Sequence, residues 1–130
     1  MINRKSYIKN DYGILLNCTP HNITLDTNVV LFPSGYVISA SLRNIPIDYN
    51  PEIVRTIYMP SDEGLQEIKN IHILFKHIKM YCLSSTITVK AYSINNPYMK
   101  NIHIVGMIQL NERGTEDNYK KISSKTFYIL

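Results

Sequence analysis

Apolar residues dominate the chain from Ile14 to Leu25, with one polar interruption, Asn17-Cys18-Thr19-Pro20-His21-Asn22. Before it Leu16 and Cys18 share one parity, and after it Ile23 and Leu25 share the other. A strand that keeps a single face buried must therefore slip by one residue between them. Pro20 has no N–H for a ladder and pushes Thr19 toward extended geometry, which places the pair at a sheet edge or bulge. Asn17 and Asn22 are suited to bond backbone groups that the slip leaves unpaired. On this reading Asn17, Thr19, Pro20 and His21 are architecture, with the His21 ring orienting the kink through a neighbouring carbonyl.

The same pattern predicts strands along most of the chain. Residues 12–18 and 22–25 flank the kink, and 29–32 follow a turn at Asp26-Thr27-Asn28. Phe32-Pro33-Ser34-Gly35 has proline second and glycine last, so Pro33 and Gly35 mark a type I reversal into a strand over 36–42. Pro46, Pro51 and Pro60 leave room for one short edge strand, 53–59. Ser61 is a helix cap ahead of Asp62 and Glu63, with Leu65 and Ile68 facing inward. Residues 71–75 are β-branched and read as a buried strand, 76–83 as a short helix with Ile78 and Cys82 on one face, and 86–92 as an alternating strand. Residues 102–110 form another strand with Gly106 at a bulge or close approach, 111–124 a polar loop, and 125–130 a last strand. The fold class is α+β, predominantly β: one domain over 1–130 with a mainly antiparallel sheet or small barrel or sandwich, one or two short helices, and a basic N-terminal arm at 1–10.

Composition narrows the class without naming a reaction. At 130 residues, 45% hydrophobic and 18% charged, the chain is globular and long enough to bury roughly two thirds of its unfolded surface. No apolar run approaches the roughly 20 residues of a membrane helix, so a soluble protein without membrane contact is expected. Cys18 and Cys82 form no CxxC pair and read as reduced, buried side chains, a single bridge remaining open.

Candidate chemistry is sparse. Cys18 and His21 are the obvious nucleophile and base, but three residues along an extended chain point them to opposite faces, and no oxyanion-forming turn follows. His72 and His103 each lie between isoleucines and read as outer-face, solvated rings, with no HxH, HExxH or CxxC spacing for a metal. No catalytic residue, metal site or cofactor is assigned. Net charge is +4 and ten tyrosines are available for stacking. Arg4, Lys5 and Lys9, with Lys76 and Lys79, are accordingly the candidates for nucleic-acid contact, although no RNA- or DNA-reading motif accompanies them.

Asn17-Cys18-Thr19-Pro20-His21-Asn22-Ile23, then Phe32-Pro33-Ser34-Gly35 and Tyr36-Val37-Ile38, resembles a family of small uncharacterised proteins of phages, archaeal viruses and their hosts. Those proteins carry N-L-T-P-H followed by P-S-G. Cys18 stands where leucine is usual, which argues for a buried position. Ile45-Pro46-Ile47 and Ile104-Val105-Gly106 are similar to later segments of that family, and the match covers about a third of the chain. The resemblance implies a viral origin, with the protein in the host cytoplasm, the virion or both; it implies no activity.

The leading expectation is thus a non-enzymatic viral protein that works by protein–protein contact. It would be a virion accessory or structural component, a binder of a host factor, or a self-associating chain. Tyr58, Tyr92 and Tyr98 are the contact candidates, since tyrosine offers area at low entropic cost. Two alternatives stand beside it: a ligand-binding protein or enzyme with a pocket at His21, and a nucleic-acid-binding accessory protein. A concave cavity holding His21 and a second titratable side chain favours the first alternative.

Overall fold

A computed structural model of the protein describes residues 5–93, 101–114 and 120–130. Five strands make a curled mixed sheet in the order β1 (Tyr7–Asn10), β2 (Gly13–Asn17), β7 (Met80–Leu83), β8 (Ile102–Arg113), β9 (Lys120–Tyr128). The outer pairs β1–β2 and β8–β9 are antiparallel, while β2, β7 and β8 run parallel at the centre. A second ladder joins β3 (Ile23–Thr24) to β4 (Val30–Leu31), and a third joins β5 (Ala40–Tyr49) to β6 (Glu52–Pro60), both antiparallel. With two helices, α1 (Asp62–Leu74) and α2 (Thr86–Tyr92), the architecture is the mainly-β α+β fold expected, its pairings mostly antiparallel.

Parallel strands in the centre are buried on both faces, and that explains the parity change at the kink. Ile14, Leu16 and Cys18 point to one side, where they pack with Met80, Cys82 and Ile104 against Ile68 and Ile71 of α1 and Val89 and Tyr92 of α2. Leu15, Leu83 and Val105 point to the other side, where Ile23, Leu25 and Leu31 cover them. The run therefore does not slip to keep one face buried. It leaves the sheet after Asn17 and crosses from the helix-side core to the opposite one.

Several local expectations are corrected. Residues 71–75 are the end of α1 and its C-cap, not a strand, so only Ile71 is buried while Ile73 and Leu74 face solvent. Residues 80–83 are the central strand β7, not a helix, and 86–92 are the helix α2, not a strand. Ser85 caps α2 by accepting the Thr88 N–H, and Thr88, Val89, Ala91 and Tyr92 are buried at helical spacing. Residues 36–39 lie outside any ladder. The Ile38 carbonyl accepts the Thr88 hydroxyl at 3.0 Å, and the Ser39 carbonyl accepts the Tyr92 and Ser61 hydroxyls at 2.8 and 2.9 Å. The cap at Ser61 forms as expected, its Oγ accepting the Gly64 N–H at 2.9 Å. Residues 7–10 of the basic arm are strand β1, and the polar loop is shortened from both ends, to 113 by β8 and from 120 by β9. Gly106 is a close-approach point, as expected: a Cβ there would meet the ring of Tyr128.

The proline-punctuated middle holds two long strands where one short one was expected. Pro46 is tolerated inside β5 because it sits at a register shift and β5 has a single ladder partner. The hairpin turns through a cis Asn50–Pro51 bond.

Candidate functional site

Asn17 organises the turn that follows β2. Its side chain is completely buried, and its carboxamide makes all four of its hydrogen bonds. Nδ2 donates to the carbonyls of His21 at 2.7 Å and Leu31 at 3.0 Å, while Oδ1 accepts from the N–H of Thr19 at 3.0 Å and its hydroxyl at 2.7 Å. The Asn17 carbonyl also accepts the Ser34 N–H at 3.1 Å and hydroxyl at 2.6 Å. Ser34 stands between Pro33 and Gly35, whose φ of 87° supplies the left-handed geometry at the bend there. The two motif blocks, far apart in sequence, thus form one hydrogen-bonded unit.

His21 contributes to this unit through its backbone. Its carbonyl is the acceptor and its N–H bonds the Thr19 hydroxyl at 3.2 Å, whereas its ring is exposed. Alongside the ring, the Asn17 carboxamide and the Thr19 hydroxyl hold the backbone at this kink. Cys18 is buried beside Cys82, both free thiols. Burial pushes the Cys18 thiol well up, and the neighbouring Cys82 adds to the shift, the opposite of what a nucleophile needs.

The turn forms one wall of a cavity of about 380 Å³. Thr19 to Thr24 line it on one side; Ser85 stands at the end of β7; Met107 and Gln109 of β8 and Lys120 and Ile122 of β9 complete it. The cavity therefore lies beyond the carboxyl ends of β2 and β7, the position at which open sheets with parallel strands hold ligands. Thr24 in its wall is 2% exposed, and its hydroxyl has no hydrogen-bond partner among the described residues. His21 and Lys120 are the titratable side chains of its lining. Ser85, Met107, Gln109 and Lys120 carry no motif in sequence; only the fold brings them to the turn.

Other candidates are placed differently. Tyr92 is buried at 4% exposure and donates its hydroxyl to the core, so it offers no contact surface. Its phenol is pushed up by burial, partly offset by hydrogen bonds around Ser61. Tyr58 is half-buried against the helix-side core with the Lys90 ammonium 6.0 Å from its ring centre. His72 is half-buried on α1 and bonds the Asn101 side chain at 3.0 Å, and His103 is half-buried on β8, neither being the solvated ring expected. Lys5, Lys9, Lys76 and Lys79 are exposed; Lys9 lies across from Ile14, whose N–H bonds the Lys79 carbonyl. Arg4 and Tyr98 lie outside the described residues. No group of three or more metal-ligating side chains occurs among the described residues, and no helix there is long and apolar enough to cross a membrane.

The β5–β6 hairpin is the other feature that stands out. Its strands have ten and nine residues, and it meets the rest of the protein chiefly through α2 at its base. Beyond the base it is exposed on both faces, including Leu42 at 58%, Ile47 at 56% and Tyr49 at 78%. No protein-family model matches the chain, and no curated protein or solved structure matches it.

Proposed function

We propose that the protein is non-enzymatic and works by protein–protein contact, with the β5–β6 arm seating on a second copy of the chain. The arm is the observation that carries this. An isolated two-stranded ribbon is at best marginally stable in water, and among the described residues no third strand pairs with either edge, leaving backbone groups ready to extend a ladder. One face combines Ile45, Ile47, Ile53, Ile57 and Met59 with Arg43 and Arg55 at mid-arm and Asp48 near the tip. Two such faces packed head to tail oppose the tip carboxylate of each copy to the mid-arm arginines of the other, a self-complementary pattern suited to a two-fold interface. Assembly of this kind suits a structural component of a virus-like particle better than a host-factor binder; the viral setting itself is carried by the N-terminal resemblance.

Sedimentation of the full chain at about 50 μM tests the proposal, a concentration at which a micromolar contact is populated. Dimers are expected for the native sequence, monomers for Asp48→Arg, and dimers again for Asp48→Arg combined with Arg43→Asp and Arg55→Asp. A native chain that sediments as a monomer overturns it.

A second reading, ligand binding at the turn after β2, is favoured by the cavity that places His21 and Lys120 in one lining. It is independent of the arm.

A further inference from the structure

We infer that the cavity beyond β2 and β7 is a binding site for a small organic anion with an apolar body. The inference rests on the second reading above and makes no use of the arm. Its volume of about 380 Å³ falls at the lower end of the ~300–1,000 Å³ over which small-molecule sites range. Ile23, Met107, Ile122 and Pro20 supply an apolar surface large enough for an alkyl or aryl group. Lys120 brings an ammonium to this lining and Gln109 an amide, whereas no carboxylate lines the cavity among the described residues. The neighbouring Lys121 is already paired with Glu112 at 3.1 Å, while Lys120 has no ion pair among the described residues.

The turn opposite Lys120 is held rigid by the saturated Asn17 carboxamide, so the wall is formed before anything binds. The anionic end belongs at Lys120 and Gln109, and the apolar body on Ile23, Met107 and Ile122.

Titration of the ¹⁵N-labelled full chain by NMR with benzoate, hexanoate and 4-phenylbutyrate, each beside its uncharged alcohol and with inorganic phosphate as a further probe, tests this. At up to about 10 mM, where even millimolar binding registers, at least one carboxylate is expected to shift the amides of Thr24, Ser85, Met107 and Ile122. The matched alcohol should bind about tenfold weaker, and Lys120→Met should weaken the carboxylate by a similar factor, the loss expected for one charge-assisted contact. Silence of these amides to every carboxylate overturns the inference. So does equal binding of acids and alcohols, or a response to phosphate alone. Sedimentation of the same samples reads the arm separately, so loss of ligand binding and loss of self-association are distinguished.

Discussion

The Asn17 side chain holds the backbone carbonyl of His21 at 2.7 Å, and the His21 ring takes no part in that bond. The consequence is a strong asymmetry between two substitutions four residues apart. Asn17→Ala removes four hydrogen bonds, three of them buried, leaves the Leu31 carbonyl without that donor, and should cost about 3 kcal/mol or more. His21→Ala touches an exposed ring and should cost less than about 1 kcal/mol. Urea unfolding midpoints of the two variants measure the difference; equal losses would mean that the ring carries as much of the turn as the carboxamide.

Gly64 lies in the first turn of α1 where it meets the Ser39 carbonyl and the Tyr92 hydroxyl, and a Cβ there would collide with both. Because one of these is backbone and the other is fixed by its own hydrogen bond, neither yields easily. Gly64→Ala should therefore destabilise the protein by about 1–3 kcal/mol despite the better helix propensity of alanine. A gain in thermal midpoint would show that the contact relaxes freely.

What the chain spells out locally, and what it hides, follows from how far each signal reaches. Ser61 with Asp62 and Glu63 announces α1 because a cap is local chemistry, whereas Phe32-Pro33-Ser34-Gly35 gives a bend at Gly35 and not the type I reversal into a strand that its residues predict. The helix α2 was hidden by its β-branched residues, Thr86 to Val89, and by the alternation of Ile87, Val89 and Ala91 on paper, yet Ile87 faces solvent and the Ser85 cap sets a helical period instead. Met80 to Leu83 has no periodicity at all, as befits a short strand covered on both faces, and so reads equally well as helix. The turn half of the candidate site was legible from Asn17, Thr19, Pro20 and His21. Lys120 and Ser85 were not, since a parallel sheet assembles its strand ends from distant segments.

The buried thiols bear on the enzymatic alternative. Burial raises the Cys18 thiol well above its ordinary range, so little thiolate forms in the folded state. Reaction of Cys18 with an aromatic disulfide reagent at mild alkaline pH should be limited by opening of the structure, and should accelerate with denaturant in step with global unfolding. Rapid stoichiometric labelling of the native protein at Cys18 would reinstate it as a nucleophile.

His103 gives the fold a pH dependence of predictable sign. Its ring stacks on Tyr81 with centroids 5.3 Å apart, and its Nε2 is buried without a hydrogen-bond partner among the described residues. Burial, and secondarily the positive charge of Lys79, lowers its pKa from the usual 6.5. The unfolded chain then takes up a proton at a pH where the folded chain still refuses it. The contribution of this site to stability is complete above about pH 6.5 and is lost as pH falls from there toward the lower folded-state value. His103→Phe keeps an aromatic ring beside Tyr81 and removes the titration. Thermal unfolding of both proteins between about pH 7.5 and 5 should show the native chain losing stability faster on acidification, while their difference is flat above about pH 6.5. Parallel curves across the whole range would mean that the ring is protonated as readily in the folded protein as in the unfolded one, and that the stack tolerates an imidazolium.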